Sequence, residues 1–127
     1  MFQYAKKYIT DNSQYSPVML KDTPKSQEFP LIIMKKVRND LYDENLDKTD
    51  QRFWFGYELK IYSMDNPNIV RQEITEELVK LIYEVFFEHY GMDIKADYEI
   101  PNVDLDVTAW YMRFEAKIDE NKRIYRR

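Results

Sequence analysis

The chain has 127 residues, with 19 basic and 23 acidic side chains, a net charge of −4 at pH 7 and no cysteine. This length predicts one domain, residues 1–127, and the lack of cysteine excludes disulfide frameworks and zinc–thiolate sites. Charges of both signs are spread along the chain, so we expect neither a membrane nor a specific nucleic acid as a partner.

The first 28 residues predict a short helix followed by an irregular connector. Residues 12–28 are rich in Ser, Asn and Asp and contain Pro17 and Pro24, which is typical of a connector. Ahead of them, the helix is indicated between Phe2 and Asp11 by apolar side chains at three- and four-residue spacing: Phe2, Ala5, Tyr8 and Ile9.

Two strands are predicted next, with a projecting loop between them. Residues 31–37 begin with a continuous apolar run, which indicates a strand buried on both faces. Residues 39–52 are polar and acidic and carry too few apolar side chains to pack on a core, so they predict the loop. From Phe53 to Tyr62 apolar residues occupy every second position, as in a half-buried strand: Phe53, Phe55, Tyr57, Leu59 and Ile61.

A long amphipathic helix is predicted from Pro67 to Tyr90. Asp65 or Asn66 can cap its free amides, proline suits the first helical position, and Gly91 supplies a left-handed stop. One stripe of this helix is apolar and would face the sheet: Val70, Ile74, Leu78, Leu81, Ile82, Val85, Phe86 and His89.

The last third of the chain predicts strands at 94–100 and 108–119 and a short final strand at 123–125. In the first strand the inward positions alternate with polar residues that face solvent, and the inward positions are Ala96, Tyr98 and Ile100. In the second strand the inward positions are Trp110, Met112, Phe114, Ala116 and Ile118. Together the elements predict an α+β fold. Its mainly antiparallel sheet of about four strands would pack against the one long helix, with the short helix at the N-terminus.

Few residues are suited to catalysis. Two isolated glycines, Gly56 and Gly91, cannot form a phosphate-binding loop. The single histidine, His89, lies on the apolar stripe near the helix end, which favours a packed or end-capping role over that of a catalytic base. We therefore expect no enzymatic activity and no cofactor.

Carboxylates are the remaining candidates for a metal site. Asp104 and Asp106, with Asp93 and Asp97 nearby in sequence, offer hard oxygen ligands for Ca²⁺ or Mg²⁺. Their spacing matches no specific metal-binding loop, so an exposed acidic turn is the better interpretation, and we expect no metal.

The chain is rich in aromatic residues, and several of its basic residues lie close together in its last fifteen positions. Its eleven tyrosines fit aromatic strands, and they also fit a protein that contacts other proteins. The longest apolar run, Leu31 to Met34, is far shorter than the roughly 20 residues of a membrane helix, and no signal-peptide pattern is present, so we expect synthesis and use in the cytoplasm. Basic residues gather late in the chain and, with tyrosines between them, could form a small nucleic-acid patch, but acidic residues in the same segment oppose that interpretation. The basic residues are Arg113, Lys117, Lys122, Arg123, Arg126 and Arg127.

Several motifs follow one another over residues 29–127: FPLI at 29–32, YELKIYS at 57–63, YEIPNVD at 98–104, AWYMRFEAKID at 109–119 and IYRR at 124–127. This ordered set resembles the tail-terminator proteins of long-tailed phages and prophages of Gram-positive bacteria. The chain departs from that pattern at Phe114-Glu115-Ala116, where the family carries an aromatic–glycine pair, and residues 12–28 have no counterpart. The subfamily, and with it a contractile or non-contractile tail, stays open.

The resemblance implies a hexameric ring in the virion, assembled in the host cytoplasm, that caps the head-proximal end of the tail tube. It would stop tube polymerisation and join the tail to the head, with the tube protein and a head-completion protein as partners. The free protein can be a monomer. As contact residues we nominate side chains of the 39–52 loop and of the C-terminus: Asp40, Tyr42, Asp43, Lys48, Arg52, Tyr125, Arg126 and Arg127.

Three other functions stay open at this point. A head-completion or connector protein would belong to the same joint between head and tail. A small carboxylate-based, metal-dependent hydrolase would use the aspartates near position 104. A general α+β adaptor outside phages would share the fold and none of the virion partners.

Overall fold

The computed structural model describes residues 1–21, 28–41, 53–65, 69–101 and 106–118. In these residues the chain is α+β, with two helices and a mixed five-stranded sheet in the order β1-β2-β3-β5-β4. The helices are α1 (Phe2–Asn12) and α2 (Arg71–Tyr83), and a π-helical segment (Glu84–His89) continues α2. The strands are β1 (Val18–Lys21), β2 (Leu31–Leu41), β3 (Phe53–Met64), β4 (Asp93–Ile100) and β5 (Val107–Ile118).

Both helices pack on one face of the sheet, here called the helix-covered face. The period-two prediction for β3 and β5 is confirmed where side chains are described, because alternate residues of each strand are buried in one core. The sheet contributes Met19, Ile32, Met34, Leu59, Ile61, Met112 and Phe114 to this core, and the helices contribute Ala5, Ile9, Ile74, Leu78, Ile82, Val85 and Phe86.

The predicted connector at 12–28 was wrong in part, because residues 18–21 form β1. This strand pairs in parallel with β2, from Val18 opposite Leu31 to Lys21 opposite Met34. The described sheet therefore has five strands with one parallel and three antiparallel pairings, so the predicted mainly antiparallel sheet of about four strands is confirmed in part. The prediction of a short N-terminal helix is confirmed, since α1 runs from Phe2 to Asn12.

Strand β2 is buried on both faces where it begins, as predicted. Leu31, Ile32, Ile33 and Met34 expose 4, 0, 7 and 2% of their surfaces. The strand continues to Leu41, opposite Phe53, with a register shift between Val37 and Asp40. The predicted 39–52 loop is thus wrong at its start, since residues 39–41 belong to β2, and the rest of it lies outside the described residues.

Helix α2 begins later than predicted, at Arg71 rather than at Pro67, and the six-residue π-helical segment continues it to His89. Asp65 accepts a hydrogen bond from the Arg71 amide at 2.7 Å, which supports the predicted role of Asp65 as a cap. Gly91 ends the helical run with a φ of 72°, as predicted. Two members of the predicted apolar stripe are exposed, Val70 because it precedes the helix and His89 because the π-helical turn alters the spacing.

A bulge reverses the predicted alternation of β4. The register with β5 shifts between Ile94 and Ala96, so Asp97 pairs with the core residue Met112 and Tyr98 pairs with Tyr111 on the other side. One extra residue moves every later side chain to the opposite face. Tyr98, predicted to face inward with Ala96 and Ile100, is consequently 52% exposed.

Candidate interaction surfaces

Aromatic side chains cluster where α1 packs on the π-helical segment. The ring of Tyr4 stacks on His89 with 4.4 Å between centroids and an 11° angle between planes, and Tyr90 meets Tyr4 edge-on at 5.6 Å. Tyr83 and Phe87 form a second stack at 4.7 Å. Tyr4 and Phe87 keep 40 and 42% of their surfaces exposed, so this aromatic cluster presents apolar area to solvent.

A hydrogen bond ties α1 to the π-helical segment beside that cluster. The hydroxyl of Tyr8 donates to Glu84 Oε2 at 2.6 Å. This bond, helped by burial and by the negative charge of Glu84, raises the pKa of Tyr8 to about 12. His89, for which a packed or end-capping role was predicted, stacks on Tyr4 in the last turn of the π-helical segment and is exposed rather than buried in the core.

The opposite face of the sheet carries a polar network between β3 and β5. Tyr111 donates to Glu58 Oε1 at 2.9 Å, and Arg113 Nε lies 2.7 Å from Glu115 Oε2. Burial raises the pKa of Tyr111, with Glu58 adding to the effect. Tyr98 of β4 lies against Tyr111 with 5.3 Å between ring centroids. Tyr98 is thus an exposed aromatic side chain that packs against Tyr111.

A cleft of about 390 Å³ lies between α2 and the β4–β5 hairpin. Trp110 forms part of its wall, and the indole N–H donates to Asp97 Oδ1 at 2.6 Å. The bulge in β4 puts Asp97 and Glu99 on the helix-covered face, next to this cleft. The described residues that line it are Arg71, Gln72, Thr75, Glu76, Glu99, Thr108 and Trp110. We refer to it as the α2–β5 cleft.

The structure places one of the nominated contact residues. Asp40 lies in β2, opposite Trp54, and therefore belongs to the sheet rather than to a loop. The other nominated residues lie outside the described part of the chain, as does the predicted strand at 123–125: Tyr42, Asp43, Lys48, Arg52, Tyr125, Arg126 and Arg127.

The aspartates considered for a metal site are spread along the β4–β5 hairpin. Asp93 pairs with Glu115 at one end, whereas Asp106 immediately precedes β5 at the other end, and Asp97 binds the Trp110 indole between them. Asp104 lies outside the described residues. Within the described ranges, no three His, Asp or Glu side chains are grouped so that they could hold a metal ion.

Sequence reasoning missed the α2–β5 cleft and the aromatic cluster. The cleft depends on the bulge that turns Glu99 toward α2, and the sequence of β4 carries no glycine that would have signalled a bulge. The aromatic cluster had a signal: Tyr4 and Tyr8 are four residues apart on α1, as are Tyr83 and Phe87 near the end of α2.

Comparison with models of known protein families finds no match to this chain, and comparison with curated proteins likewise finds none. Among the described residues, neither helix has the length and apolar character needed to span a bilayer. By its fold and its surfaces, the described part of the chain is an α+β protein with exposed aromatic residues and a polar cleft.

Proposed function

We propose that this chain is a phage tail terminator, a ring-forming protein that caps the head-proximal end of the tail tube and joins it to the head. The observation that carries the proposal is the placement of exposed aromatic residues on two separate surfaces. Tyr4 and Phe87 lie on the helix side, and Tyr98 lies on the opposite face of the sheet. The ordered motifs from residue 29 to residue 127 support the same function.

Two distinct contact surfaces suit a ring. In a heterologous contact, one surface of a subunit meets a different surface of the next, and the ring closes at a fixed copy number. Tyrosine is effective in such contacts because it offers a large apolar ring with one hydrogen-bonding hydroxyl. A hexameric ring of this kind presents different chemistry on its two sides, toward the tube and toward the head.

Termination then needs no chemical step. One side of the ring copies the stacking surface of a tube subunit and docks on the last tube ring. The other side lacks the acceptor for a further tube subunit and offers a surface to the head-completion protein. In this mechanism the 40–52 segment, with Asp40, Tyr42, Asp43, Lys48 and Arg52, contacts the tube, and Tyr125, Arg126 and Arg127 contact a neighbouring subunit.

The direct test is to mix the purified chain with its tube protein and follow polymer length by electron microscopy. We expect growth to halt with a ring at one end, whether or not the free chain is a monomer. Unchanged tube growth across a wide range of ratios would contradict the proposal. In phage lacking this protein we expect tails of uncontrolled length; free tails of normal length would instead indicate a head-completion protein.

The 42–52 segment can be tested separately. Because Leu41 pairs with Phe53, replacing residues 42–52 by Asn-Gly closes the β2–β3 hairpin with a two-residue turn and leaves the sheet pairing intact. We expect this variant to fold, as judged by circular dichroism and thermal unfolding, and to lose tube capping. A folded variant that caps tubes normally would remove the segment from the mechanism.

A further inference from the structure

The α2–β5 cleft has the side chains to hold a flat cation. Two exposed carboxylates, Glu76 from α2 and Glu99 from β4, line it from opposite sides, together with the indole of Trp110. Among the described residues that line it, Arg71 is the one basic side chain, so their charged groups sum to a net negative charge. The carboxylate of Asp97 adds a further negative charge at the edge of the indole, 2.6 Å from Nε1.

A guanidinium group fits this combination better than any other protein side chain. It is planar, it remains charged, and it can bind a carboxylate through two parallel N–H donors while stacking on an aromatic face. The attraction between a cation and an aromatic ring is largest for tryptophan. Because Asp97 fixes the Trp110 indole by a hydrogen bond, the ring is already held in position before a ligand arrives.

The chain itself carries a segment of the matching chemistry. Residues 122–127, KRIYRR, contain four basic side chains and no acidic one. We propose that the α2–β5 cleft of one copy binds an arginine from residues 122–127 of a second copy. This inference rests on the proposed ring, for which it names a donor segment and an acceptor site, in the head-to-tail arrangement that closed rings require.

The length of the chain favours a second copy over the same copy. Trp110 lies near the start of β5 and Ile118 at its end, and eight residues of strand span roughly 26 Å. Arg126 is only eight residues beyond Ile118. To reach its own cleft it would have to run back fully extended along the whole strand, although both edges of β5 are already paired, with β3 and with β4. A neighbouring copy has no such restriction.

Calorimetric titration of the full chain with a peptide of residues 121–127, NKRIYRR, tests the site. We expect binding that weakens about ten-fold or more in the double variant Glu76→Gln/Glu99→Gln, because both carboxylates are lost. Glu73→Gln is the matched control, since Glu73 is exposed on the same helix and does not line the cleft. The control should bind the peptide as the unaltered chain does, and a peptide with both final arginines replaced by alanine should bind much more weakly.

Disulfide trapping between copies tests the source of the arginine. Because the sequence contains no cysteine, only the introduced cysteines can form a disulfide. One copy carries Gln72→Cys at the cleft, and the other carries Arg127→Cys. Under mild oxidation we expect a covalent dimer that forms about ten-fold faster than with Glu73→Cys in place of Gln72→Cys, because a disulfide needs Cα atoms within roughly 7 Å. Adding Glu76→Gln/Glu99→Gln to the first copy should slow the reaction.

Three results would overturn the inference. The first is peptide binding that is absent or insensitive to the double variant, and the second is trapping no faster than in the Glu73→Cys control. The third is a disulfide that forms only within one copy in a chain carrying both cysteines.

The tube-capping assay separates this inference from the proposed function. If Glu76→Gln/Glu99→Gln caps tubes as well as the unaltered chain, the cleft contact is wrong and the terminator function stands. If the unaltered chain fails to cap tubes, the terminator function falls whatever the peptide does.

Discussion

Gly56 occupies a position in β3 where the neighbouring strand β5 comes very close. A Cβ atom added there would lie 2.5 Å from the carbonyl oxygen of Phe114 and 3.0 Å from Cγ of Glu115. The first of these atoms belongs to backbone in the middle of a paired strand, so it cannot move aside without disturbing the β3–β5 register. The glycine is therefore required by the close approach of two strands.

We predict that Gly56→Ala destabilises the fold by roughly 1 to 3 kcal/mol, the usual cost of forcing an extra carbon into a packed site. Urea unfolding followed by circular dichroism measures this change. Lys60→Ala is the control, because Lys60 is an exposed residue of the same strand. An unfolding midpoint for Gly56→Ala equal to that of the control would show that the strands can separate without penalty.

Single residues also show which parts of the core could be read from sequence. Leu59, Ile61, Met112 and Phe114 were predicted to face inward and are fully buried. Tyr98 followed the same alternation in sequence and is nevertheless exposed, because the bulge after Ile94 shifts the phase of β4. Alternation is therefore informative only within a stretch of unbroken register, and nothing in the local sequence marks where the register breaks.

Helix α2 starts at Arg71 because of a contact made outside the helix. The residue before it, Val70, is extended, and the Arg71 amide is bonded by the carboxylate of Asp65, six residues earlier. This contact satisfies one of the free amides at the helix N-terminus and places a negative charge near the positive end of the helix dipole.

We predict that Asp65→Ala lowers the free energy of unfolding by roughly 1 kcal/mol, as expected for the loss of a capping acceptor. Asp65→Asn keeps an acceptor oxygen and removes the charge, so it should lose less. Thermal and urea unfolding of the two variants separate the hydrogen bond from the charge. Equal stability of Asp65→Ala and the unaltered chain would assign the helix start to packing alone.

Strand β1 was not predicted from the sequence, for a physical reason. It is four residues long and lies next to Pro17, too short for periodicity to register. Its pairing is parallel with β2, so its existence depends on a contact with residues thirteen positions away rather than on its own composition. The long strands β3 and β5 were predicted nearly to their ends, because alternation over about twelve residues is a clear pattern even where single positions depart from it.

At the scale of the whole molecule, the surroundings raise the pKa values of four of the tyrosines in the described part of the chain. The pKa of Tyr8 is raised to about 12 by its bond to Glu84, and burial raises the pKa values of Tyr57, Tyr90 and Tyr111. A raised pKa means that the folded state holds its phenolic protons more tightly than the unfolded chain does. Their contribution to stability is complete below the unfolded pKa of about 10 and is lost as pH rises through the folded values.

We predict that the free energy of unfolding falls as pH rises from about 10 to 12. Tyr8→Phe removes the titrating hydroxyl, whereas Glu84→Gln keeps an acceptor oxygen and removes the negative charge that helps to raise the pKa of Tyr8. Each change should therefore flatten part of this dependence. Urea unfolding at a series of alkaline pH values provides the measurement, with phenolate absorbance as a second reading. Variants whose pH dependence matches that of the unaltered chain would show that the Tyr8–Glu84 bond does not persist in solution.

The surfaces of the molecule could be predicted from sequence less well than its core. The richness in tyrosine suggested contacts with other proteins, but the positions of those contacts depend on how α1 docks on the π-helical segment and on the bulge in β4. Both are tertiary features. Of the nominated contact residues, only Asp40 lies in the described part of the chain, and it belongs to a strand.

The outermost strands of the described sheet have a consequence for solubility. On one side β1 offers only four residues, and on the other β4 is bent by its bulge and carries Lys95, Asp97 and Glu99. Short, bent and charged edges are the features by which natural sheets resist main-chain pairing with foreign strands and hence fibril growth. These edges therefore oppose the main-chain pairing by which the sheet of one molecule would be extended by a strand of another.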